Sequence, residues 1–216
     1  MATSHIRRGA AAVIAQVAGA ACSVVLSASV ACTRGPIELG FWIEPVSYAS
    51  PRLGDPITGT ELATIETVAR AELATAFERF DVVLSANRQA RYHVRVVQRL
   101  LDQRFRSREV SVAGESRGAA GWGGSGAVSF DFLAGSAMVY APEEIGRAEL
   151  VAAIGRGIGR SAAHEFAHQL LPSTPIHDTR DRASYEYESA ARIEQYFGDM
   201  RWDVAKPFLE NRLRRR

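Results

Sequence analysis

The chain has 216 residues, a net charge of +2, 47% hydrophobic residues and 23% charged residues. Those are ordinary globular proportions at the length of one domain with a leader. Basic residues are scattered except for Arg212, Arg214, Arg215 and Arg216. That cluster suits a solvated helix end, and without a basic stripe interleaved with aromatics nucleic acid is excluded as the expected partner.

Arg7 and Arg8 precede an uncharged run, Gly9 to Ala31, rich in Ala, Val and Ser. A basic start, an apolar middle and a small-residue end describe a secretory signal peptide, with Ser29-Val30-Ala31 as its cleavage site. Cys32 follows directly and adds a lipoprotein reading, in which its lipidated thiol tethers the chain to a membrane. An uncleaved anchor is the third reading, since the run is long enough to span a bilayer. Residues 1–32 are therefore expected to be a signal peptide and 33–216 the working domain, secreted or in the cell envelope. Cys22 would leave with the signal, so no disulfide can form within the mature chain. Its remaining length, roughly 180 residues, is enough for a real core.

Ile37–Ile43, rich in aromatic and β-branched residues, predicts a first strand. Pro45 to Pro56 reads as a loop with Pro51, Gly54 and Pro56 as breakers. Thr58-x-x-Glu61 is a capping box for a helix running to about Phe80, with Leu62, Ile65, Ala69, Leu73, Ala76 and Phe80 on one stripe. Asp81–Leu84 reads as a short extended segment. Arg91–Gln98 alternates polar and apolar residues and predicts a second strand, in which His93 is a strand residue rather than a ligand. Arg104–Val112 reads as a hairpin or irregular segment. Gly114 to Gly126 carries six glycines and reads as a flexible surface loop, with Trp122 as a lid against the core. No phosphate-loop pattern is present in it. Val128–Leu133 and Ala137–Tyr140 read as strands joined at Gly135, the first a candidate sheet edge for an extended peptide. Pro142 opens a long helical segment with Leu150, Ile154 and Ile158 at four-residue spacing. Gly155, Gly157 and Gly159 weaken that helix by roughly 1 kcal/mol each relative to Ala. They mark either a break or a close approach of another backbone.

The helix reaches His164-Glu165-Phe166-Ala167-His168, an HExxH motif, and Pro172 stops it. His164 and His168 are one turn apart, so both imidazoles leave one face and can hold one metal ion. Glu165 then stands beside the ion as general base toward a water. The plain alternative is an amphipathic helix that happens to carry two histidines.

This order of elements with this motif resembles the zinc-dependent metzincin proteases and their relatives, over roughly Ile37 to Leu171. The resemblance implies an α/β (α+β) fold: a zincin-like mixed sheet, a backing helix at Thr60–Phe80 and an HExxH active-site helix. It implies His164 and His168 as ligands of Zn2+ and Glu165 as the base. The family pattern HExxHxxGxxH is not completed, because Leu171 stands at the Gly position and Thr174 at the third His. His177 is the next His, after eight intervening residues rather than five, and Asp178 stands beside it. In gluzincins a Glu from a later helix completes the site. Here Ser184–Phe197 reads as that helix, with Glu188 at the matching distance and Glu186 on its apolar stripe. The third ligand is therefore open among His177, Glu188, Glu186 and Asp178. Met200 is a weak counterpart of the metzincin Met, and Asp203–Arg214 a closing helix with Pro207 near its start. Tyr185 and Tyr187 are candidate oxyanion donors.

The expected function is that of an exported zinc metallopeptidase, a monomer acting on a peptide or protein. Two alternatives stay open: a zinc hydrolase of a non-peptide amide, and a non-catalytic envelope lipoprotein or binding domain whose HExxH is accidental or structural.

Overall fold

The computed structural model describes residues 35–50, 53–101, 111–119 and 122–213. The expected signal peptide, with Cys22 and Cys32, lies outside those residues, as do most of the Arg104–Val112 stretch and the terminal arginines 214–216. Among the described residues no helix is long and apolar enough to cross a membrane.

The fold is mixed α+β, built on one five-stranded sheet. The first strand, β1 (Ile37–Ile43), lies where its β-branched and aromatic residues predict it. Its middle four residues, Leu39 to Trp42, are buried, as befits a strand covered on both faces. It is flanked in parallel by β2 (Val82–Ser85) and β3 (Tyr92–Val97). Beyond β3 come β5 (Gly123–Ser129), parallel to it, and β4 (Gly114–Ala119), antiparallel to β5. The strand order β2-β1-β3-β5-β4 makes β4 an edge.

The first helix, α1 (Gly59–Phe77), starts at the capping box. The Glu61 N–H donates to Thr58 Oγ1 at 3.2 Å and the Thr58 N–H donates to Glu61 Oε2 at 2.9 Å. Its buried stripe is Ile65, Ala69, Leu73, Ala76 and Phe77. That stripe packs on α3 (Arg147–Leu170), a 24-residue helix running unbroken through all three of its glycines. Arg160 of α3 bridges the two helices, its Nε and Nη2 donating to the Glu72 carboxylate at 2.9 and 3.2 Å. A short closing helix, α5 (Lys206–Arg212), starts with Pro207 in its first turn, as expected.

Three expectations are corrected. The glycine-rich stretch is no loop: it forms the antiparallel pair β4–β5, and Trp122 at its turn is 86% exposed rather than packed as a lid. The strands expected at Val128–Leu133 and Ala137–Tyr140 are replaced by the end of β5 and by α2 (Phe130–Tyr140). Ser129 ends the strand and caps the helix, its hydroxyl accepting from the Phe132 N–H. Phe130, Leu133, Ala134 and Ala137, all buried, then follow the helical period. Ser184–Phe197 is not a helix except for its last turn, α4 (Glu194–Phe197). Side chains tie the rest of it into turns described below.

Candidate metal centre

The last two turns of α3 carry the HExxH motif onto the sheet at its glycine-rich end. A Cβ on Gly118 would stand 2.8 Å from Gln169 Cα, and one on Gly124 would stand 2.7 Å from Gln169 Cβ. A Cβ on Gly114 would meet Glu165 Oε1 at 2.3 Å. Gly118 and Gly124 are cross-strand partners, and Ser116 faces Gly126 one step along. The sheet is thus stripped of side chains where the motif helix lies on it. Gln169 is buried there, its Nε2 donating to the His93 carbonyl at 3.1 Å.

At this end of α3 three imidazoles converge. His168 Nε2 lies 3.1 Å from His164 Nε2 and 3.0 Å from His177 Nε2. All three ligand atoms fall within 4.8 Å of one another, the one such metal-sized group among the described residues. Ligand nitrogens on a tetrahedral zinc, each about 2.0–2.1 Å from the ion, stand about 3.3 Å apart. The donor set therefore suits a metal ion in type and number, and two of its three spacings come close to that value. His164 Nδ1 lies 2.7 Å from the Tyr185 carbonyl. That contact assigns Nδ1 the proton and turns the bare Nε2 toward the other two rings, as a carbonyl behind a metal-binding imidazole does.

Burial first, and then the neighbouring imidazole, hold His164 down to about 3 and His168 to about 4. Both are neutral near pH 7, which is the form that binds metal. Glu165 sits on the inner side of the helix, 6% exposed, against Gly114 and Ser116 of β4. Burial lifts its carboxyl to about 8, and the neighbouring Glu115 adds to the rise.

The histidines open on a cleft of about 970 Å³. One wall is the chain from Ser111 to Ser116, the other the segment from His177 to Arg192, and α3 is the floor. Tyr185 and Tyr187 both line the cleft. Tyr185 is buried, its ring tilted on Trp202 at 4.8 Å. Tyr187 is half-buried, with the Arg192 guanidinium 5.0 Å from its ring centre.

Of the candidate third ligands, His177 is the one brought to the pair. Glu186 faces inward as expected but is committed elsewhere. Its carboxylate accepts from the backbone N–H groups of Asp203, Val204 and Ala205 at 2.8–2.9 Å. Glu188 lines the cleft, exposed, and neither it nor Asp178 joins the cluster. His93 stays a strand residue, its Nδ1 2.9 Å from the Ala90 carbonyl and its ring beside Trp42. Met200 packs against the core.

Sequence reasoning missed Gly114, Ser116 and Arg192. For the first two a signal existed: Gly114, Ser116 and Gly118 are small residues at the strand period of two. Arg192 carried none.

Comparison of the chain with protein-family models, with curated proteins and with solved structures gives no match.

Proposed function

We propose that this chain is an exported zinc metallopeptidase of zincin type, with His164, His168 and His177 as the ligands and Glu165 as the general base. The observation that carries the reading is the convergence of three imidazoles beside a buried carboxyl in one cleft. An amphipathic helix with two accidental histidines gives no reason for a third, nine residues on, to return to within 3.0 Å of His168. The mixed sheet, the backing helix α1 and the motif helix α3 agree with the fold that the metzincin resemblance implies.

Held by His164, His168 and His177, a zinc ion would supply Lewis acidity, lowering the pKa of a bound water and polarising a carbonyl. The protein's part falls to named residues. His164, with Nδ1 committed to Tyr185, presents Nε2 and keeps its ring fixed. Glu165 takes the proton of the attacking water and later passes it to the leaving amine. Its carboxyl is pinned for that task between the helix and Gly114, where no side chain intervenes. The expected peptide-binding edge moves one strand outward. Val128 is in β5, which lies inside the sheet, whereas Gly114–Ser116 of β4 lie on the cleft. An extended substrate would add to β4 and cross the metal end of α3.

Elemental mass spectrometry on the purified chain tests the centre. About one zinc per chain is expected, with loss in His164→Ala and in His177→Ala. Glu165→Gln is expected to keep zinc and lose cleavage of a peptide library. No zinc after the metal is added back would refute the metallopeptidase reading. Zinc bound without cleavage of any peptide by the parent chain would leave a binding protein or a hydrolase of another amide.

A further inference from the structure

Two buried charges on the His177–Arg192 wall have no role in the reading above. Glu186 is 0% exposed and Arg192 is 2% exposed. Among the described residues neither forms an ion pair. Burying a single charge costs several kcal/mol unless hydrogen bonds offset the lost hydration. Both spend their hydrogen bonds on one short piece of backbone and what it rests on.

That piece is the turn Ser184–Ser189. Arg192 Nη2 donates to the Ser184 carbonyl at 2.8 Å, and Nη1 donates to the Ser189 carbonyl. Glu186 accepts the three N–H groups of Asp203, Val204 and Ala205, where the chain enters α5. The Glu186 N–H itself donates to Ser184 Oγ at 3.1 Å. Between these two anchors sits Tyr185. Its N–H donates to the Arg201 carbonyl at 3.0 Å, and its carbonyl faces His164 Nδ1 at 2.7 Å. The one outward product of all these ties is a fixed carbonyl behind a metal ligand.

We propose that Glu186 and Arg192 are positioning residues for the metal centre. Arg192 ties the two ends of the Ser184–Ser189 turn and Glu186 anchors it to the start of α5, and together they set the Tyr185 carbonyl that holds His164 in one tautomer and one orientation. The proposal rests on the metal reading, gives Glu186 a role other than ligand and adds Arg192. It also accounts for the irregular backbone. A helix through Ser184–Phe197 would commit the Tyr185 carbonyl to an N–H four residues on and leave His164 without its acceptor.

The test uses the full chain with zinc alone and cobalt(II) alone as probes. Glu186→Gln keeps shape but replaces one accepting oxygen by a donor; Arg192→Lys keeps the charge but loses the fork. Each is expected to weaken zinc by roughly 10–100-fold, the usual effect of losing a ligand's outer partner. The cobalt d–d absorption is expected to change shape as well. Arg147→Gln serves as control: it breaks the Glu61 pair at the far end of α3, 17 residues from His164. It is expected to lower the Tm and leave both metal readouts alone. Nitrogen NMR of the metal-free parent needs no variant, and is expected to show His164 as a single tautomer protonated on Nδ1. Parental zinc affinity and cobalt spectrum in both folded variants, with only the Tm reduced, would overturn the positioning role and leave the centre standing. A mixed His164 tautomer in the parent would do the same. A parent that takes up neither metal would instead remove the centre, and the positioning role with it.

Discussion

Gly159→Ala separates two opposite effects whose sizes can be worked from the structure. In the middle of an exposed helix, Gly to Ala gains about 1 kcal/mol. At residue 159 the new Cβ would stand 2.5 Å from the Ala69 carbonyl oxygen, 2.8 Å from Glu72 Cβ and 3.0 Å from Ala69 Cα. Two of these three atoms are α1 backbone and cannot swing aside. Over-packing of this kind costs about 1–3 kcal/mol. The expected balance is a loss of up to about 2 kcal/mol, a fall in Tm of up to about 8 °C for a chain of this size. The displacement also falls on the Arg160–Glu72 pair, one residue along, and on the helix that carries His164 five residues later. Gly59→Ala is the matched control, since nothing lies within 4 Å of its Cβ. It is expected to gain about 0.4–1 kcal/mol. Urea unfolding of both variants, followed by far-UV circular dichroism, gives the comparison. If Gly159→Ala gained stability as Gly59→Ala does, the close packing of α1 on α3 at Gly159 would be refuted.

Gly114→Ala is expected to keep zinc but lose most activity, at least tenfold, because its Cβ would stand 2.3 Å from Glu165 Oε1 and push the carboxyl aside; parental turnover would show that the carboxyl is not held there. The metal-free chain should be most stable near pH 6.5, as far as the site's own groups decide it. His164 and His168 ordinarily titrate near 6.5 and in the fold near 3 and 4, so the unfolded chain binds their protons first and stability falls as pH drops below about 6.5. The loss is at most about 1.4 kcal/mol per pH unit for each ring. Glu165 ordinarily titrates near 4.5 and in the fold near 8, so it acts the other way, lowering stability as pH rises between those values. Two rings outweigh one carboxyl below 6.5, and the carboxyl acts alone above it. Urea midpoints of chelator-treated protein at pH 5.5, 6.5 and 7.5 check this; a steady rise from 5.5 to 7.5 would refute it. Glu188→Gln is expected to leave zinc content unchanged, and loss of metal would return that residue to the ligand set.

The parts of the fold that local rules govern were legible in the sequence. β1 and the capping box at Thr58 were each read within a residue, because strand composition and side-chain capping act over a few positions. The HExxH helix was legible for the same reason, down to its stop before Pro172. What failed was decided by partners distant in the chain. The glycines of β4 and β5 suggest a loop until the motif helix is laid on them. They are then the only residues that let Gln169 and Glu165 come so close. Phe130–Leu133 alternates like a strand over four residues, and only the longer spacing to Ala134 and Ala137 shows the helix. The apolar stripe read along Ser184–Phe197, Ala190, Ile193 and Phe197, is not a buried face, since Ile193 is 49% exposed; hydrogen bonds from Glu186 and Arg192 hold the segment in turns instead.

The displaced third histidine has a physical explanation in how the chain leaves α3. In the pattern with five intervening residues a glycine makes the turn. Here Leu171 caps the helix at φ −126°, outside the left-handed region, so the turn is spread over more residues. The Leu171 N–H donates to the Ala167 carbonyl at 2.8 Å, Thr174 to Leu171 at 3.0 Å, and Ile176 to Thr174 at 2.9 Å. This route returns the chain toward the helix and drives Ile176, 1% exposed, into the core immediately before His177. An apolar anchor thereby does the work of the missing glycine. Ile176→Ala tests that division of labour. Truncating a buried Ile costs about 2–5 kcal/mol, and here the cost falls on the segment that carries His177. Zinc affinity is expected to fall at least tenfold, with His164 and His168 still in place on α3. The two-histidine remnant should bind zinc no more tightly than His177→Ala does. Were Ile176→Ala to lose thermal stability yet hold zinc as the parent does, the metal itself would be fixing His177, and the eight-residue spacer would need no anchor in the core.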